Sequence, residues 1–305
     1  MKQITLDGGI KVGVFRKTPA DFDPFTASPA EVRAYGLPAL PDHTRHRERY
    51  RRLVTRMLRR SNFVEPQFRI HPGLPTVPAG GVVLAGPPTW ASPNTSGAFI
   101  TAPAGSSFRW MESDWVVPSV SLPAGRSESF FATWIGIGGG DSALQAGFHA
   151  SVSSGQTQLY AFWEWLSPQT GHILDVTNLT VRPGDFLSVI LCTSQGAGST
   201  DATIYFMNWT NSSHTAVAVQ GPVLLATTAQ WGAGFPFLWG GNAGLLADYG
   251  QVFFSECEAV TTAPELLNLG SADLVNLTSD GSANGAVVSE SRVISDTVLQ
   301  CLYLG

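Results

Sequence analysis

The chain has 305 residues, only 13% of them charged, and a net charge of −5. A chain of this length can bury a sizeable core without disulfide staples, and its mild acidity excludes a dedicated nucleic-acid binder, whose footprint is strongly basic. The 32 glycines, with abundant Ser, Thr and aromatics, fit an all-β protein with many tight turns.

Residues 1–41 read as an irregular arm, because Pro19, Pro24, Pro29, Pro38 and Pro41 interrupt regular elements. The stretch lacks the uninterrupted apolar segment of a signal peptide, and no run reaches membrane-spanning length. A cytoplasmic location and no membrane partner are therefore expected. Residues 43–60 are expected to be the one helix, with Asp42 as its N-cap. Tyr50, Leu53, Val54, Met57 and Leu58 form one apolar stripe at helical spacing. Residues 42–60 hold eight of the eighteen Lys and Arg and two acids, a local +6 that leaves −11 on the rest. That asymmetry predicts a helix docked by its stripe on an acidic body, ahead of a membrane surface or a nucleic acid as partner. Residues 61–93 read as a Pro/Gly-rich connector, so 1–93 is an extension to a domain at 94–305.

From residue 94 short alternating segments recur: "SGAFITA", "FRWMESDWVVPSV", "ESFFATWIGI", "SALQAGFHASV", "TQLYAFWEWL", "FLSVILCTS", "ATIYFMNWT", "HTAVAVQGP" and "QVFFSECEAV". Turn residues separate them at the spacing of a sandwich or barrel. No βαβ alternation is present, which excludes a doubly wound nucleotide fold. "GIGGGDSA" (136–143) lacks the lysine of a phosphate loop and reads as a tight turn. Cys192, Cys257 and Cys301 show no metal-ligand spacing and read as free thiols. His71, His149, His172 and His214 lie far apart, and no HExxH, GxSxG or Cys-His signature occurs. No metal site and no cofactor are expected. The five Asn-X-Ser/Thr sequons read as turn and strand composition.

Strand parity sorts the side chains by face. Gln145 shares a face with Ala143 and Gly147, an open surface that something can approach closely. Glu164 shares one with Phe162 and Leu166, opposite Trp163 and Trp165. Without a ligand, Gln145 is a strand residue bonded to solvent or backbone, and Glu164 a satisfied half-buried acid.

These segments resemble the eqolisins, the glutamic peptidase family. The matching pieces are "SGAFI" (96–100), "WVVPSV" (115–120), "ATWIGIGG" (132–139), "ALQAGF" (143–148), "YAFWEWLSP" (160–168), "VRPGDFLSV" (181–189), "TTAQW" (227–231) and "LLADYGQVFF" (245–254). The resemblance implies a two-sheet antiparallel β-sandwich of the concanavalin A-like type with a concave substrate face. It also implies a Gln–Glu pair, in which the glutamate is general base on a water and the glutamine positions that water and the oxyanion. The family glutamine falls on Gln145, its groove tryptophan on Trp134, and its Trp-aromatic-Glu-Trp element loosely on Trp163 and Glu164. Aligning "AQW" puts Gln230 at the family's first glutamate and Gly234 at the general base. No Asp or Glu occurs between Asp201 and Asp248 to replace it. A family acid is also replaced, by Gly138, and a family tryptophan by Thr95.

A positioned general base is worth roughly 10²–10⁴-fold in rate, so three readings compete. In the first, the scaffold has lost proteolysis and binds or transforms a small molecule or peptide, for example by an acid/base cyclisation or isomerisation. Gln145, Glu164 and Asp141 would supply the chemistry. Trp134, Trp163, Trp165, Trp231 and Trp239 would wall the groove, with Gln230 and Asp248 as further binding residues, and Gly232, Gly234, Gly240 and Gly241 would make a small, mobile rim, the glycine at 234 enlarging the pocket. In the second, Glu164, Asp141 or Asp248 has taken over as base of an acid endopeptidase. The third is a lectin-like module with aromatic faces for sugar rings.

Overall fold

The computed structural model describes residues 1–6, 10–38, 44–71, 89–140, 142–166, 172–235 and 245–305. The expected N-cap Asp42, and with it Asp141, Trp239, Gly240 and Gly241, lies outside them. The arm holds more regular structure than its prolines suggested. Strands β1 (Lys2–Thr5) and β2 (Lys11–Val14) form an antiparallel hairpin. Helix α1 (Pro29–Ala34) starts at a Ser28–Glu31 capping box with Pro29 in the first turn, where its missing N–H costs nothing. Helix α2 spans Thr44–Arg60. The connector contributes β3 (Asn62–Phe63), β4 (Phe68–Ile70) and β5 (Thr89–Ser92).

The alternating segments from 94 onward are strands: β6 (Thr95–Thr101), β7 (Phe108–Val116), β8 (Glu128–Gly139), β9 (Ser142–Ser153), β10 (Gln156–Leu166), β11 (Ile173–Val176), β12 (Phe186–Thr193), β13 (Asp201–Asn208), β14 (Ser213–Gln220), β15 (Thr228–Gly234) and β16 (Gln251–Thr261). A C-terminal group follows: β17 (Leu266–Asn268), β18 (Asp273–Thr278), β19 (Val287–Ser295) and β20 (Val298–Tyr303). The pairings make one long, mostly antiparallel ladder that folds over on itself. Its front layer runs β2–β14–β13–β12–β7–β16–β20. Its back layer runs β18–β6–β15–β8–β9–β10–β11–β4. Strand β19 pairs with both β20 and β18 and carries the ladder between the layers.

The inner faces of the two layers share the main core. Phe148 of the back layer meets Trp115 and Phe206 of the front at ring-centroid distances of 5.9 and 5.8 Å. The fold is thus an all-β sandwich. The arm hairpin extends the front layer through β2, which pairs with β14.

Helix α2 covers the outer face of the front layer. Tyr50, Val54 and Met57 are buried against Trp110, Ile190 and Trp209, while Leu53 and Leu58 are partly buried. At the same contact Arg49 bridges Glu112 at 2.7 Å, Asp114 at 3.4 Å and Glu256 at 2.7 Å. Burial pulls the Arg49 guanidinium down, but the three carboxylates outweigh it and keep it protonated. Arg56 lies 4.1 Å from the centre of the Trp209 ring. The basic helix is therefore held by its stripe and by acids of the body. Among the described residues, no helix is long and apolar enough to cross a membrane.

Candidate functional site

Period-two alternation sends every second side chain of the back layer outward. Three cross-strand rows result. One runs Phe99, Gln230, Gly136, Gln145, Glu164, Ile173 across β6, β15, β8, β9, β10 and β11. The next runs Gly97, Gly232, Trp134, Gly147, Phe162, Asp175, and reaches Arg69 on β4. The third runs Thr95, Gly234, Ala132, His149, Tyr160.

Gln145 and Glu164 are direct cross-strand partners, which sets their Cβ atoms about 4.5–5.5 Å apart. Both are buried, at 3% and 0% exposure. Gly136 lets two carboxamides converge: a Cβ there would meet Gln230 Nε2 at 2.8 Å and Gln145 Cγ at 3.0 Å. The Trp134 indole leans over Gly232, where a Cβ would lie 2.6 Å from its Cε2. Around these polar groups Trp134, Phe162, Leu166 and Ile173 form a small apolar cluster separate from the main core. Gln145 Oε1 and Trp134 Nε1 are buried with no hydrogen-bond partner among the described residues. Such groups cost about 1–3 kcal/mol each unless something bonds them. The face therefore offers a carboxamide acceptor and an indole donor, with a carboxylate opposite.

Several sequence expectations need correction. Trp163, Trp165 and Trp231 do not wall this face; they belong to the inter-sheet core, and Trp231 Nε1 donates to the Glu112 carbonyl at 3.3 Å. The reason is parity: with Glu164 turned outward, Trp163 and Trp165 must turn inward. Asp248 is exposed and follows Leu246, which bridges to Phe130. Phe130 is six residues from Gly136, about 20 Å along an extended strand, so Asp248 does not reach Gln145. Gly234 lies four residues beyond Gln230, about 13 Å along β15. It is not an enlarged wall beside Gln145. Its φ is +143°, and a Cβ there would lie 2.2 Å from the Asn94 carbonyl oxygen. The backbone at 234 excludes any side chain in its present shape.

A second polar group, missed in the sequence, occupies the same face. Asp175 is fully buried. Its Oδ2 accepts from Arg69 Nη2 at 2.6 Å and lies 3.2 Å from His71 Nδ1, while its Oδ1 lies 2.7 Å from His149 Nε2. The His71 and His149 rings are perpendicular, with centroids 4.9 Å apart. Arg69 also stacks over Tyr160 at 4.7 Å. Burial pushes the Asp175 carboxyl up, but the bonds from His149, His71 and Arg69 hold it well below the usual carboxylate range. Burial pushes the His149 imidazole down, only partly offset by Asp175. At neutral pH the group is thus an ionised Asp175 and a neutral His149. Parity puts His149 on the face of Gln145, but only the β11–β4 pairing brings in Arg69 and His71.

A family model described as the peptidase A4 family matches residues 93–303. A solved structure of scytalido-glutamic peptidase with a transition state analog inhibitor aligns over 69% of this chain and 98% of its own, at 22% identity and a TM-score of 0.55. SCP-B, a member of the eqolisin family of peptidases in complex with the tripeptide Ala-Ile-His, aligns over the same shares at 22% identity and a TM-score of 0.52. At this identity the likeness carries the fold alone. No curated protein sequence matches the chain.

Proposed function

The chain belongs to the peptidase A4 family, and we propose that it has lost the family's hydrolysis of peptides while keeping the outer face of its back layer as a binding site for a peptide or other small amide-bearing molecule. The observation that carries this reading is position 234. Alignment assigns the general base there, yet the residue is glycine at φ +143° with no room for a Cβ. A water-activating carboxylate cannot stand at that point without rebuilding the strand. What remains suits recognition of an amide: Gln145 Oε1 as acceptor, Trp134 Nε1 as donor, and Gln230 beside them. The tripeptide held by the related SCP-B supports a peptide-like occupant. Glu164 can move one proton at the bound molecule, which suits an isomerisation or a cyclisation better than a hydrolysis.

A second reading has one observation in its favour. Glu164 stands directly opposite Gln145, where a relocated base could share a water with it.

Incubation of the unaltered protein with denatured casein from pH 2 to 7 separates the two. The expected result is intact casein at every pH, with a peptide library retaining ligands that Gln145→Ala no longer binds. Casein cleavage that disappears in Glu164→Gln would sink the first reading in favour of the second. Cleavage that survives Glu164→Gln but not Gln145→Ala would refute both assignments of Glu164.

A further inference from the structure

The Asp175 group is not used by the function proposed above, and it stands independently of it. One ring nitrogen each of His71 and His149 and a carboxylate oxygen of Asp175 all lie within 4.8 Å of one another. They arrive from the end of β4, from β9 and from β11, strands that the ladder holds in fixed order. We infer that these three atoms form a site for a divalent cation of the zinc class on the outer face of the back layer.

The donor set decides the metal. Two imidazoles and one carboxylate suit Zn²⁺ or Co²⁺ and not Mg²⁺ or Ca²⁺, which prefer oxygen throughout. Arg69 occupies Asp175 Oδ2, which leaves Oδ1 to the ion and turns the guanidinium into an outer partner that orients the carboxylate. With ligand distances of about 2.0–2.1 Å, His149 Nε2 and Asp175 Oδ1 must open by about 0.6 Å from their 2.7 Å contact. Binding of the ion at Nε2 would shift the ring proton of the neutral His149 to Nδ1, the tautomer that a metal-ligating imidazole adopts. The Phe162 and Tyr160 rings, 5.6 and 5.9 Å from that of His149, exclude water from one side.

Three protein ligands leave a fourth position open, as at catalytic rather than structural zinc sites. His149 and Asp175 lie on the same face as Glu164. Asp175 pairs with Phe162, two residues from Glu164, a diagonal of about 7–8 Å. His149 also shares its row with Gly234, separated by Ala132 alone. One ligand of the site therefore lies on the same cross-strand row as Gly234.

The test is titration of the full-length, chelator-stripped protein with Zn²⁺ near neutral pH, followed by calorimetry and thermal melting. One equivalent should bind and raise the melting temperature. His71→Ala and His149→Ala should each weaken binding by at least about 100-fold, since loss of a mere outer-shell partner costs 10–100-fold. His71 lies at the end of the short edge strand and is part-exposed, so that variant should keep its circular dichroism spectrum even if His149→Ala unfolds. X-ray absorption of the Co²⁺-loaded protein should show imidazole scattering that decreases in His71→Ala. No binding by the unaltered protein would overturn the assignment and leave Asp175 as a buried ion-pair hub. Binding unchanged in His71→Ala would overturn it equally, because the ion would then sit elsewhere.

Discussion

If the backbone at 234 forbids a side chain, Gly234→Ala should destabilise the protein even though alanine is the smallest possible addition. Two costs add. A residue with a Cβ held at φ +143° sits in a region open essentially to glycine, at about 1–3 kcal/mol. The new Cβ would also lie 2.2 Å from the Asn94 carbonyl oxygen and 3.1 Å from Leu277 Cδ1. Relief requires that carbonyl to move, and it accepts the Phe235 amide at 2.8 Å; losing that bond costs a further 0.5–1.5 kcal/mol or so. The expected loss is about 2–4 kcal/mol, read from urea unfolding at constant slope. Gly105→Ala is the control: its φ is +77° but nothing lies within 4 Å of its Cβ, so about 1–2 kcal/mol is expected. Should Gly234→Ala lose no more than Gly105→Ala, the strand accommodates a side chain and the argument from position 234 fails. A folded Gly234→Glu variant that digests casein would refute it more directly.

Met57 is buried in the contact between α2 and the front layer, so Met57→Ala should lower unfolding free energy by about 2–5 kcal/mol; Leu53→Ala, at a partly buried position, should cost less, and an unchanged stability for Met57→Ala would mean that α2 does not stay docked. Arg49→Ala strips the cation from Glu112, Asp114 and Glu256 and should cost on the order of 2–3 kcal/mol at neutral pH, below the 3–5 of a fully buried pair because Glu256 is exposed. Burial already pushes the Asp114 carboxyl up, so this cost should shrink as acid neutralises it; a loss that grows on acidification would contradict the pairing. His214, packed on Phe63 and bonded to Ser61 Oγ, is pushed down by burial to about 4. Its folded pKa lies below its unfolded value near 6.5, so its stability contribution is complete above that value and fades as pH falls from about 6.5 to 4. His214→Gln should flatten the urea-stability profile across that window; an unaltered slope would mean that His214 is not buried neutral.

Alternation alone made much of the domain legible. The segments running from "SGAFITA" to "QVFFSECEAV" appear as strands because a period of two is a local property, written in consecutive residues. The same parity put Gln145 and Glu164 on outward faces, and it had already turned Trp163 inward. The family correspondence nonetheless assigned Trp163 to the groove, and the core contacts of Trp163 and Trp231 show parity to be the better guide. Strand β15 was not read as a strand, since "TAQWGAG" carries two glycines that depress strand propensity. Between its neighbours β6 and β8 those glycines are what the layer needs, one for the Trp134 indole and one for Asn94. The hairpin β1–β2 was hidden because short strands of an arm have no pattern long enough to read, and they are stabilised by β14.

Residue order alone was enough for the class of fold, the family, the apolar stripe of α2 and a glycine at 234. Each of these depends on residue type at local spacing. Only the tertiary structure decided that Gln145 faces Glu164 directly, that Gly234 is 13 Å or so along the strand from them, and that Arg69 and His71 close on Asp175 across more than a hundred residues. Which strand lies beside which is set by the closure of the whole ladder around one shared core, and no stretch of consecutive residues carries that information.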